Sequence, residues 1–468
     1  MKILSRLAER IGKMFRLETA NAAEAFGVKL LTSSDMDSAL NKWNDIFTGK
    51  PPWKDAEDEI DTANVASLIS NTRSKLTMLD IGIALSESPR TEYMQKVANN
   101  LVDKLSEKLP RAFALGGMMI KFNGASWDFI YPERFAVTEK DSNGNIRGAI
   151  FASQKEQDGH YFTRLEWHRF ETVNDDTAVY RISNKVYESS ARNENITLGK
   201  QVDLKQVRTW AHLQPEVTIT NIDEPLFAYF RVPGANNVDL SSPLGASIFA
   251  DAINEFKAID IAISRKDTEI EDSKHITFVG QSAIQSANVR NIKLPRFVKG
   301  LGTGLNDGET SAIHEHVPTL LTEQRIKDIN FNLSLAGVKC GFSEGVFVMD
   351  GQTGMMTATQ VEADDRDTIQ TIKTDRDALK SAVTKALKSA DTMTTLYGKA
   401  PLGIYDINFN FGDITYSYEE DKVSWKSYVL QGWVPVWLYL VKFEGMSEDE
   451  AKALVEEAKS RDKGLFEE

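Results

Sequence analysis

Between Gly354 and Gly398 the chain carries neither glycine nor proline, and this uninterrupted stretch constrains the fold more than any other. Its start bears two overlapping capping boxes, Thr357 with Gln360 and Thr359 with Glu362. In each, a hydroxyl can accept from a main-chain N–H while a longer side chain reaches back to the cap. Apolar residues then recur at Val361, Ile369, Ile372, Leu379, Val383, Leu387, Ala390 and Met393, which is helical spacing. Gly398 suits a left-handed stop, and Pro401 bars continuation. The spacing predicts a helix over 357–397, about 60 Å long at 1.5 Å per residue. A helix longer than a small domain is wide must bridge parts of something larger. Just before it, Gly345 to Gly354 is an apolar run broken by the turn dipeptide Asp350-Gly351.

The rest of the chain alternates in texture. Helical periodicity covers residues 1 to about 60 and ends in WNDIFTGKPPW, where Trp43, Phe47 and Trp53 are expected to pack locally. It resumes from 60 to 115 and stops at Gly116-Gly117. From Met118 to about Phe230 the period is two, with DSNGN at 141–145 as a hairpin turn. A second helical region is expected from Pro243 to about Asp272, then short strands and Gly-rich turns over 275–317. Another helix starts at Pro318-Thr319 and ends near Gly337 to Gly341. After Pro401 come a short β-like piece and a terminal helix capped by Ser447 with Glu450. The fold class is α+β, mainly helical, with an antiparallel β module inserted between helical parts. A chain of 468 residues makes about two to four domains.

Most enzymatic chemistry finds no footing. There is no G-x-x-x-x-G-K-[ST], and GLGTGLNDGE at 300–309 lacks the Lys-Ser/Thr a phosphate cradle needs. Glu362, Asp364, Asp365 and Asp367 form the densest carboxylate cluster, the one candidate for a two-metal nuclease. At 100° per residue they fan around a helix start, where acidic groups complement the dipole. His314 and His316 alternate in the Gly-rich insert, while His160, His168, His212 and His275 show no ligand spacing. Cys340 is the only cysteine, so neither a disulfide framework nor a cysteine zinc site is available, and a reducing site of synthesis fits. The N-terminal MKILSRLAERIGKMF is basic and amphipathic and reads as a short docking helix rather than a secretory signal, and no window spans a bilayer. A net charge of −13 argues against gripping nucleic acid by phosphate neutralisation, but not against letting it slide past. Arg290, Lys293, Arg296 and Lys299 are the local basic exception.

Several long motifs in order carry a family resemblance. They are LFAYFRVPGANNVDLSSPLGASIFADAINEFKAID, GFSEGVFVMDGQTGMMTATQV, WNDIFTGKPPW, RLEWHRF followed by YRISNKVYES, and EGMSEDEAKAL. Across nearly its whole length the chain resembles portal proteins of tailed, siphovirus-type bacteriophages, the group typical of phages of low-GC Gram-positive hosts. It departs from the family's pattern at Gln360, where glutamate is common.

The resemblance implies a non-enzymatic subunit of a dodecameric ring at the capsid's portal vertex in the virion, made in the host bacterial cytoplasm. Double-stranded DNA would pass its channel without sequence specificity, packaged by a separate terminase ATPase, then held and released into the tail. The terminase large subunit, a head–tail adaptor, and the major capsid and scaffolding proteins are the partners implied; no cofactor, metal or catalytic residue is. The wing would cover 1–243, with its β-rich module at 118–230, and the stem helices 244–272 and 319–341. The clip would be 273–318, with Arg290, Lys293, Arg296 and Lys299 facing terminase or adaptor. The tunnel loop, 342–356, would present Val346, Phe347, Val348, Met349, Asp350, Gly351, Gln352 and Thr353 to DNA. The spine helix would be 357–397, starting at Thr357, Thr359, Gln360 and Glu362, and 398–468 would complete wing and crown. The alternatives are a metal-dependent DNA-processing enzyme and a different structural ring of a virion, such as an adaptor or baseplate component.

Overall fold

The computed structural model describes residues 22–54, 60–173, 177–189, 198–272, 276–280, 298–301, 313–316, 321–348, 366–412, 418–431, 433–444 and 446–464. They form an α+β protein in two compact units, 1–411 and 412–468. In the first unit, α1 (Ser34–Phe47) starts where the Ser33 hydroxyl accepts from Met36 N, and it buries Met36, Leu40, Trp43 and Ile46. Helix α2 (Val65–Thr77) starts at Asn64, whose left-handed backbone (φ 50°) turns its side chain onto Ser67 N. Residues 82–85, expected to be helical, instead form β1 (Gly82–Leu85), paired antiparallel with β14 (Ile407–Asn410). The pairing partner lies more than three hundred residues away, so no local pattern announces it. Helix α3 (Thr91–Ala114) buries Met94, Val97, Leu101, Leu105 and Leu109 on one stripe.

Gly116 and Gly117 end α3 at positive φ, and there the main chain meets that of Gly245. A Cβ on Gly116 would lie 2.2 Å from the Gly245 carbonyl oxygen. The close approach holds 243–249 out of a helix, with Val232 N donating to Gly116 O and Ile248 N to Phe113 O. The helix expected from Pro243 therefore begins at Ile253, as α4 (Ile253–Asp272), after a single 3-10 turn.

The period-two region forms two antiparallel sheets. β2 (Gly117–Phe122) sits between β3 (Trp127–Ile130) and β10 (Ala228–Arg231), all antiparallel. The second sheet runs β4 (Phe135–Lys140), β5 (Ile146–Gln157), β6 (His160–Val173), β7 (Thr177–Ser189) and β8 (Lys200–Val202). β9 (Glu216–Ile219) joins it at β7. The 141–145 turn forms as expected, with Asp141 Oδ1 accepting from Asn143 N and Asn145 N.

Helix α4 is followed by a small sheet of β11 (Ile276–Gly280), β12 (Val298–Leu301) and β13 (Ile313–His316), in which β11 and β12 run parallel. Then α5 (Thr322–Lys339) returns antiparallel to α4. The long helix α6 (Arg366–Leu396) is described for 31 residues, about 47 Å. Ile372, Leu379, Val383, Leu387 and Ala390 are fully buried along it, and Gly398 (φ 57°) stops it. One core joins α1–α3, the β2 sheet, α4, α5 and α6. Among the described residues no helix is long and apolar enough to cross a membrane.

The second unit contains α7 (Tyr418–Leu430), α8 (Val436–Glu444) and α9 (Glu448–Gly464). Both arms of the expected capping box form: Ser447 N donates to Glu450 Oε2 and Glu450 N to the Ser447 hydroxyl.

Candidate functional site

The antiparallel pair α4–α5 and the turn that follows it make the candidate site. Glu255 accepts from Lys339 at 2.6 Å near one end of the pair, and Glu269 accepts from Arg325 near the other. These bonds set the register of the two helices. The pair is rooted in the body through Asp260, which accepts from Trp53 Nε1 at 2.8 Å and from Ala63 N at 2.9 Å. Trp53 thus reaches across the fold to α4 rather than packing only with its sequence neighbours, as expected for it. Asp260 is buried, so these two bonds replace the water it gives up.

On α5, Ile329, Leu333 and Ala336 face the core, while Phe331 (66% exposed) and Val338 (48% exposed) lie seven residues apart on another face. The helix ends at Gly341 (φ 82°), where Phe342 N donates to Gly337 O. The Phe347 ring packs over Gly337, whose missing side chain leaves room for it, and meets Phe342 edge-on at 4.9 Å between ring centres.

Ser343 and Thr368 close the site. Ser343 N donates to the Thr368 hydroxyl at 2.8 Å, Thr368 N donates back to the Ser343 hydroxyl at 3.3 Å, and both residues are buried. The chain therefore leaves α5 and enters α6 at one clasped point. Gly341 to Gly345 spells G-x-S-x-G, the spacing of a nucleophile elbow, but here it follows a helix rather than a strand. The Ser343 hydroxyl is bound within the clasp, so it is a structural serine. Burial pushes the neighbouring Cys340 thiol up to about 12, so it stays protonated and unreactive.

Of the loop residues singled out from sequence, Val346, Phe347 and Val348 lie in the turn after the clasp, with Val346 exposed. Met349, Asp350, Gly351, Gln352 and Thr353 lie outside the described residues, as do Thr357, Thr359, Gln360 and Glu362. Arg290, Lys293 and Arg296 do too, while Lys299 falls on β12. Asp367 is exposed in the first turn of α6, and Asp364 and Asp365 lie outside. His314 and His316 occupy alternate positions of β13. Among the described residues no three His, Cys, Asp or Glu side chains come together as a metal site.

Two polar constellations escaped the sequence reading. Arg73 forks onto Asp375 at 2.6 and 2.9 Å and also donates to Cys340 O at 2.8 Å, joining α2, the end of α5 and α6. Burial pushes the Asp375 carboxyl up, against the pull of Arg73. Nearby, Arg376 donates to the carbonyls of Leu76, Thr77 and Leu79, supplying the end of α2 with the donors it lacks.

The second constellation sits on β6, where Arg164, Glu166 and His168 share one face. Glu166 accepts from Lys121 at 2.6 Å, Arg164 at 2.8 Å and His168 Nε2 at 2.8 Å. His168 Nδ1 meets the Tyr180 hydroxyl, which itself accepts from Leu226 N. Glu166, an ionised carboxylate, can only accept, so Nε2 carries the ring proton, and in the neutral ring Nδ1 accepts from the Tyr180 hydroxyl. Burial alone would raise Glu166, but Lys121, Arg164 and His168 outweigh it and hold the carboxyl well below 4.5. Burial lowers His168 below 6.5 in spite of Glu166, so the imidazole is neutral. The alternating R-L-E-W-H of 164–168 was the legible signal; its partners Lys121 and Tyr180, on other strands, were not.

Comparison with protein-family models gives no match for this chain, and a search of curated proteins gives none either.

Proposed function

We propose that this protein is a portal-type subunit, one copy of a closed ring through which double-stranded DNA is packaged by a separate ATPase, retained and released. The observation that carries the reading is the clasped turn between α5 and α6. A rooted antiparallel helix pair delivers the chain to one buried point, Ser343 with Thr368, from which residues 344–367 depart and return. A segment held at both ends in this way can meet a moving polymer while the body stays in place. The exposed Val346 brings an apolar rather than a cationic side chain to its start, while the Phe347 ring stays packed on Gly337 and Phe342. Each phosphate neutralised adds affinity, and affinity is friction to a translocating duplex.

Phe331 and Val338 support the ring itself. They leave a second apolar stripe on a helix that already buries one, and a neighbouring copy packed sideways would cover it. Ring closure needs a heterologous contact of this kind, in which the two surfaces differ. In this reading the ring sits at the capsid vertex, contacts the terminase, an adaptor, and capsid and scaffolding proteins, and is a dodecamer. Negative-stain images of the purified chain are expected to show closed rings with a central hole. A species that stays monomeric at every concentration overturns the proposal.

A further inference from the structure

A cleft of about 1530 Å³ opens between β3 and β9, the outer strands of their two sheets, with β5 along its floor. It exceeds the roughly 300–1,000 Å³ of pockets that enclose small ligands. Six lysines and arginines line it against three carboxylates, the reverse of the balance in a chain of net charge −13. The surplus begins at its floor, where Glu166 alone answers both Lys121 and Arg164 and the neighbouring His168 is neutral. A buried surplus of one charge is costly until an anion meets it. Asn184, opposite Glu166 on the same face of the sheet, carries a buried Oδ1, an acceptor, with no hydrogen-bond partner. A peptide N–H offers the complement it lacks.

We propose that this cleft binds an acidic, extended polypeptide segment of a partner protein. The segment lies along β3, with one carboxylate against Lys121 and Arg164 and a main-chain N–H answering Asn184. Outer strands present main-chain groups their own sheet does not use, and strand addition takes its affinity from them. Polynucleotide fits less well, because Glu166, Glu133 and Asp128 interrupt the run of cations that would track phosphates. The inference stands independently of ring assembly.

The test uses the full chain and a fluorescein-labelled peptide of about ten residues alternating glutamate with valine, read by anisotropy. A peptide with lysine for glutamate and an oligothymidylate of equal length are the controls. The acidic peptide is expected to bind at least about tenfold more tightly than either. Arg164→Gln should weaken it about tenfold, and Lys155→Glu, at an exposed position that leaves the floor intact, about threefold. Hydrogen exchange should slow at residues 127–130 when the peptide is bound. Equal binding of the lysine peptide, preference for the oligothymidylate, or acidic-peptide binding unchanged in Lys155→Glu overturns the proposal.

Discussion

Arg73 and Asp375 carry more consequence than any exposed charge in this protein. The pair is buried, with Asp375 fully so, and it joins three helices. Removing the carboxylate strands a guanidinium among apolar neighbours, so Asp375→Ala should destabilise the fold by about 3–5 kcal/mol in denaturant melts. A loss under about 1 kcal/mol would show that water or Cys340 O suffices for Arg73. The β6 network gives a pH signature. His168 binds its proton less readily folded than unfolded, so its contribution is complete above 6.5 and fades as pH falls below that value. Glu166, held below 4.5, adds a further loss when pH drops through its lower folded value. Both signs agree: acid destabilises. The decline of Tm between about pH 6.5 and 5 should flatten in His168→Gln, and an unchanged slope would count against a neutral buried imidazole.

At the scale of elements, copy-to-copy contact is proposed for the α4–α5 pair and DNA contact for the loop beyond the clasp, and the two can be tested apart. Deleting Met349 to Thr353 leaves Ser343 and Thr368 in place, so rings should still form while DNA packaging or retention fails. Normal packaging by that deletion would show the loop is dispensable. Phe331→Ser with Val338→Ser alters only exposed positions of α5, so Tm should hold within about 3 °C while sedimentation shifts toward monomer. Rings unaffected by that change would place the copy-to-copy contact elsewhere. The main elements were legible where a face repeats locally: the apolar stripe of α6, the 141–145 turn, the terminal capping box. Residues 82–85 and 243–249 were misread because distant chain decides them, β14 for one and Gly116 for the other.

For the whole molecule, the main core lies within residues 1–411. A chain ended after Phe411 should therefore fold with a Tm within about 3 °C of the intact protein. A collapse of cooperative unfolding in that truncation would mean that 412–468 completes the first unit.

By itself the sequence determined the class of the fold, the long helix and its stop, and the antiparallel return that precedes it. Period, caps and breakers are short-range chemistry, and they act wherever they occur in the chain. It also marked the stretch from Gly341 onward as the place where two large elements meet. Only the tertiary structure decided that Ser343 clasps Thr368, that Trp53 roots α4 through Asp260, and that Glu166 gathers Lys121, Arg164 and His168. Each of these involves a buried polar group with at least one partner on another element. Burial removes water, the polar atom must then find a partner within about 3 Å, and no spacing along the chain records which distant residue folding will bring there.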